Sequence, residues 1–383
     1  MIISEANRIA NVKEYYFVKK LQQVRQMIAD GADVINFGIG SPDLDPPIEV
    51  LNSLSTASHE NINGYQPYTG RIEFKEALAT WYEKTYGICL DYKTELLPLM
   101  GSKEGIMHLS MAFLNEGDQV LVPNPGYPAY TSVAKLVGAD VINYELSEEN
   151  DWYPSFDHLL NMDLSKVKMM WVNYPHMPTG TPPKVEVFEQ LIAFAKANEI
   201  LVCHDNPYSL VLNKVKPLSI FTVKGARDVA VELNSLSKSH NMAGWRIGMI
   251  SGIQDYINAI LKVKSNMDSG MYYGLQKAAI TALQIDESWH NERNKIYAKR
   301  KSLVCEILDK LGCTYKPDQV GMFVWAKPKN QNLDIETWLE NILLDKHIFI
   351  TPGKIFGSKG EGYIRLSLCV DEKNIQKALT RIS

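Results

Sequence analysis

The chain is poor in several features that would mark it for a particular class. Its 383 residues include five cysteines, Cys89, Cys203, Cys305, Cys313 and Cys369, widely scattered and with no CxxC pair. An odd, dispersed set argues against a disulfide framework or a zinc site, so no metal is expected, and it fits a reducing compartment. No apolar run approaches the roughly 18–20 residues of a membrane-spanning helix, and the opening MIISEANRIANVKEYYF lacks a basic stretch followed by an apolar one. A cytoplasmic protein with no membrane partner is expected. Dense Lys/Arg stripes are also missing, and the formal net charge is −4. The nearest candidate, HNERNKIYAKRK at 290–301, interleaves its charges with Ile296 and runs on into Leu303, Ile307 and Leu311. It reads as a solvated helix face, and nucleic acid is not expected as a partner. Internal repeats and low-complexity linkers are absent too.

What is present is an ordinary globular balance, 45% hydrophobic and 22% charged, in a chain long enough for about two domains. Residues 1–47 read as an arm, with a helical pattern over Val18 to Ile28 and a loop DVINFGIGSPDLDPP. Over 48–285, helical periodicity alternates with short β-rich runs: QVLVP, DVINYEL, KMMWVNY, ILVCHD, VAVEL and RIGMISG. That alternation predicts an α/β fold, a large domain whose mostly parallel sheet is covered by helices. Over 286–383 the organisation changes to a smaller α+β unit. Asp286 is placed to cap a helix that ends near Gly312, followed by strands MFVWAKP and YIRLSL and helical patterns at Ile335 to Leu344 and Glu372 to Ile382.

The segment NSLSKSHNMAGWRIG, 234–248, follows an apolar strand with two hydroxyls, a lysine and an arginine. A lysine amine can form a Schiff base with an aldehyde cofactor, and the neighbouring cation and hydroxyls can bind a phosphate. In CHDNPYSL, Asp205 closes another strand, where a carboxylate can face a protonated ring nitrogen, although a helix N-cap is the plainer alternative. GSKEG, 101–105, opens a helical run and offers free backbone N–H groups to an anion. It is not a P-loop, and FGIG is not a dinucleotide fingerprint, because the third glycine position is Asp43. PNPGYPAY presents Tyr127 and Tyr130, of which Tyr130 reads as a tyrosine in a proline-rich turn. Arg365, in GYIRLSL, has apolar neighbours and so needs an anionic partner, structural or substrate.

Together and in order, these motifs resemble the class I/II aminotransferases, the fold-type-I pyridoxal-phosphate (PLP) enzymes, over nearly the whole chain. The subgroup with LL-diaminopimelate and broad aspartate-like aminotransferases is the most similar. The resemblance implies a large domain with a seven-stranded sheet and a ping-pong transfer of an amino group between an L-amino acid and a 2-oxo acid. It makes Lys238 the Schiff-base lysine, Asp205 the partner of the ring nitrogen and Tyr208 that of the ring hydroxyl. It places Ser102, Lys103, Ser235, Ser237 and Arg246 around the phosphate, stacks Tyr127 on the ring, and gives the substrate's α-carboxylate to Arg365 and the backbone of Gly40. Tyr65, in GYQPYTG, matches a tyrosine that reaches the cofactor of a neighbouring subunit, which implies a homodimer. Tyr15, Tyr16, Phe17 and residues 264–276 are expected to line the side-chain pocket. One position departs from the pattern: in NYPHMPTG, Met177 stands where the family has an asparagine that donates to the ring oxygen. The site should lack one donor unless Asn173 or His176 moves in, since a thioether only accepts weakly. A carbon–sulfur lyase on the same scaffold, or a ligand-binding regulator that retains the fold, remain the alternatives.

Overall fold

The computed structural model describes residues 3–10, 16–60 and 62–382, without the side chains of residues 10 and 16–19. Tyr15 and the side chains of Tyr16 and Phe17 therefore lie outside the described residues.

Seven strands form the main sheet. In spatial order they are Leu96–Leu99, Gly248–Ser251, Ala230–Ser235, Leu201–Asp205, Val167–Val172, Gln119–Asn124 and Asp140–Glu145. Gly248–Ser251 runs antiparallel to both neighbours and the remaining pairings are parallel. The central strands read as continuous apolar runs because both faces are covered. Met169 and Trp171 pack into one hydrophobic cluster, and Met170 and Val172 into the cluster on the opposite face. Leu96–Leu99, LLPL, carries no alternation from which a strand could be expected. Its Pro98 is accommodated because the strand lies at the sheet edge. Parallel strands put their carboxyl ends along one border, so Asp205 and Ser235, each the last residue of its strand, emerge side by side.

A second sheet of four antiparallel strands, ordered Thr351–Pro352, Ile364–Ser367, Phe323–Pro328 and Cys313–Tyr315, is packed by the helices Glu287–Lys310 and Ile335–Lys346, and Glu372–Ile382 packs on the first of these. Asp286 does cap the first of these helices by accepting from the Ser288 N–H, and Gly312 takes up the left-handed conformation just past its end. That helix corrects the reading of 290–301 as a solvated face. Lys295 and Lys299 are exposed, but Arg293, Tyr297 and Arg300 share the buried stripe with Leu303, Val304 and Ile307. The apolar periodicity of the helix runs through its arginines.

The loop 37–45 is anchored to this smaller unit. Ile35–Asn36 pairs in parallel with Ile348–Phe349, and the Phe37 carbonyl accepts from the Ser367 N–H at 2.8 Å. These contacts bring FGIG from the start of the chain to Arg365 near its end.

Candidate active site

Between the carboxyl border of the main sheet and the small sheet lies a cavity of about 390 Å³. Eleven of the twelve residues given a cofactor or substrate role from sequence line it: Gly40, Ser102, Lys103, Tyr127, Asp205, Tyr208, Ser235, Ser237, Lys238, Arg246 and Arg365. Tyr65 does not. In the single chain it is 92% exposed. No residue of 264–276 lines the cavity either. Gly270 instead packs on the backbone of Gln66, and Lys264 grips Asp268 in a buried ion pair at 2.7 Å.

Lys238 sits in the short helix Leu236–Ser239, capped by Ser235, whose hydroxyl accepts from the Ser237 N–H at 3.1 Å. This uses the Ser235 side chain for local structure while leaving it on the cavity wall. The Lys238 ammonium donates to the Gly40 carbonyl. Its pKa is lowered first by burial and further by Arg365 and Arg246, with Cys369 acting in the opposite sense.

Asp205 is held from several sides. The Tyr130 hydroxyl donates to its Oδ2 at 2.8 Å, and the Asn173 side-chain amide donates to its backbone carbonyl. Its Oδ1 is buried with no hydrogen-bond partner among the described residues. Burial raises the carboxyl from 3.8 to about 6, against the opposing pull of Tyr130 and His204. Tyr130, read from sequence as a turn residue, is thus part of the site, and its ring stacks on Trp171 at 4.7 Å. The available signal was its spacing. Three residues after Tyr127 in a helix opened by Pro128, it falls on the same face.

One end of the cavity is shaped by glycines. A Cβ at Gly101, which has φ +85°, would lie 2.2 Å from the Arg246 guanidinium, and one at Gly248 would lie 2.7 Å from the Ser102 nitrogen. Their absence lets the first turn of the helix Ser102–Phe113 approach Arg246 and Ser237, which gives an anion N–H groups, a hydroxyl and a guanidinium.

At the other end, Arg365 is buried between two rings, 3.9 Å from the Phe323 centroid and 4.6 Å from that of Phe356. It donates to the Gly38 carbonyl at 2.8 Å and meets the Met177 sulfur at 3.3 Å. The two proposed compensators for Met177 are already engaged elsewhere, although Asn173 also lines the cavity. Both ends of the Asn173 amide are used, on the Asp205 carbonyl and on the Met177 N–H. His176 pairs with Thr179 at 2.8 Å, and burial lowers its pKa to about 3. Leu21, Phe323 and Phe356 also line the cavity and carried no sequence signal.

A PLP molecule suits this donor set. The orphan Asp205 Oδ1 awaits a proton donor such as a ring N–H, a lysine stands beside it, and an anion cradle closes one end.

Comparison with known proteins agrees. Residues 32–382 match the family described as aminotransferase class I and II. An LL-diaminopimelate aminotransferase of Dehalococcoides mccartyi is 39% identical over 380 residues, 99% of this chain and 98% of the relative. One from Oleidesulfovibrio alaskensis is 38% identical over 381 residues, 99% and 98% of the two chains. Among solved structures, substrate-bound BacF from Bacillus subtilis superposes with a TM-score of 0.94 at 32% identity, covering 99% of this chain and 97% of that one. Aspartate aminotransferase from Thermus thermophilus with maleate gives 0.92 at 26% identity, covering 99% and 98%. Sequence, fold and cavity converge, and the chain belongs to the class I and II aminotransferases, a family that uses PLP.

Proposed function

We propose that this aminotransferase works through Lys238 and Asp205, with an L-amino acid as donor and a 2-oxo acid as acceptor. The observation that carries the reading is their shared cavity, in which a part-buried lysine and a buried carboxylate with an unused oxygen stand together. PLP supplies an aldehyde that captures amines and a ring that withdraws electrons from the carbon beside them. The chain's own residues do the rest. Lys238, its pKa lowered by burial, holds and returns the α-proton. Asp205 keeps a proton on the ring nitrogen, and Tyr130 orients that carboxylate. The Tyr208 hydroxyl, whose pKa burial raises, stays protonated and donates to the ring oxygen. Ser102, Lys103, Ser235, Ser237 and Arg246 bind the phosphate, Tyr127 covers the ring face, and Arg365 with the Gly40 backbone takes the α-carboxylate.

The chain is divided into an arm, 1–47, a large cofactor-binding domain, 48–285, and a small domain, 286–383. The seven-stranded sheet lies within the second and the four-stranded sheet within the third, which supports this division. A homodimer completes the site. Tyr65, Tyr68, Met267 and Tyr272 on two adjoining loops, with Ile72 at the start of the helix that follows the first, expose apolar surface, and a partner covering them would bring Tyr65 toward the neighbouring cavity. A cytoplasmic location agrees with five free cysteines. Among the described residues, no helix is long and apolar enough to cross a membrane.

The deciding experiment measures kcat/KM for a panel of amino donors, LL-diaminopimelate included because the relatives are named for it, against 2-oxoglutarate and pyruvate. Transfer by the native protein, lost in Lys238→Ala, is the expected result. Substantial turnover by that variant would refute the assignment. Size-exclusion chromatography with light scattering tests the dimer, and a monomer at working concentration would overturn it.

A further inference from the structure

The helix Glu287–Lys310 carries two arginines, Arg293 and Arg300, that are 3% and 2% exposed and do not line the cavity. They lie seven positions apart, about two helical turns or roughly 10 Å along one face, with buried Tyr297 between. Burying a guanidinium is costly, and hydrocarbon would fill a helix face more cheaply. What the two cations touch is therefore informative.

Arg293 donates to the carbonyls of Ser239 and Leu210. Ser239 follows Lys238 and ends its short helix. Leu210 lies two residues past Tyr208. The Asn294 amide adds a second bond to the Leu210 carbonyl at 3.1 Å.

Arg300 grips both oxygens of Asp43, at 2.6 and 2.9 Å, and the Leu368 carbonyl at 3.2 Å. Asp43 lies in the loop whose Gly38 carbonyl receives Arg365 and whose Gly40 carbonyl receives Lys238.

We infer that Arg293 and Arg300 are positioning residues, two fixed points on one rigid helix that set the Lys238 turn against the Gly40 loop. One point holds the side of the cavity that carries the lysine, the other the side that meets the substrate. The inference rests on the roles proposed above for Lys238 and Gly40.

Three holoenzyme variants test it: Arg293→Lys, Arg300→Lys and Asp43→Asn. Lysine keeps the charge and loses the fork that holds two acceptors. Arg300→Lys and Asp43→Asn should each raise KM for the amino donor about tenfold with little change in kcat, and the double variant should be no worse than Arg300→Lys alone, because the Asp43 contact is already lost there. Arg293→Lys should lower kcat about tenfold and weaken PLP binding, followed by tryptophan fluorescence, with KM near native.

Amide exchange in the cofactor-free proteins supplies a readout independent of turnover. Arg293→Lys should speed exchange in 236–246 and spare 37–45, and Arg300→Lys should do the reverse. Native KM, kcat and exchange in the variants, or exchange that speeds up evenly along the chain, would overturn the inference. A native protein that transfers from no donor would instead sink the Lys238 assignment, and the exchange pattern would still decide this one.

Discussion

The two ends of the cavity are built differently. Its floor stands on strand ends of one sheet: Asp205 and Ser235 close neighbouring parallel strands, and Lys238 follows three residues after Ser235. Its mouth is assembled from segments far apart in the chain. Gly38 and Gly40 come from the arm, Phe323 and Arg365 from two strands of the small sheet, and Phe356 from a turn between the last two strands. The floor is a rigid platform on which a chemistry shared by a whole family can be placed. The mouth depends on contacts between distant segments and meets the floor where the Gly40 carbonyl receives Lys238.

The largest test of that division is Lys238→Ala. It should reduce transamination by more than about a thousandfold and abolish the lysine-bound cofactor absorbance, with the fold retained by circular dichroism. At the mouth, Arg365→Gln should raise KM for the donor by about a hundredfold and leave that absorbance in place. If it removed the absorbance as well, floor and mouth would not be separable.

Asp205 gives a pH test of the floor. Burial raises its carboxyl to about 6, so between its ordinary value and pH 6 the folded, cofactor-free protein holds a proton that the unfolded chain has released. Stability contributed by this group therefore falls as pH rises through that window, by on the order of 3 kcal/mol, and the loss is complete above about pH 6. Denaturant titrations of the native and Asp205→Asn proteins at several pH values measure the difference, and parallel curves would contradict it.

Tyr130→Phe, which removes one 2.8 Å hydrogen bond to Asp205, should lower kcat about tenfold. Met177→Asn should have the smallest effect. By adding a donor near the ring oxygen it should lower the pKa at which the lysine-bound cofactor changes absorbance, by less than about one unit. An equal or lower value in the native protein would contradict the view that the present site is one donor short.

The contrast also explains what could be read early. The cofactor segments were legible because a strand end, a turn and a helix start lie within a dozen residues of each other. Local sequence decides where Lys238, Asp205 and Ser102 go. Six of the seven main strands stood out as β-rich runs, whereas Leu96–Leu99, with Pro98 and no alternation, did not. Tyr130 was missed because its role depends on a carboxylate 75 residues away. Arg293 and Arg300 were assigned to solvent because charge pattern alone cannot show which face of a helix is buried. Leu21, Phe323 and Phe356 were missed because an apolar residue gives the same signal in a core as on a cavity wall.

From sequence alone came the family, the cofactor and the residues of the floor, because short motifs encode strand-end geometry and the chemistry resides in a few polar side chains. Tertiary structure decided the rest. Only packing sets Arg365 between Phe323 and Phe356 with the Met177 sulfur beside it, turns Arg293 and Arg300 inward, and brings Gly40 to Lys238 across 198 positions of chain. These contacts join segments that share no local pattern, and they form only when the two sheets close on each other.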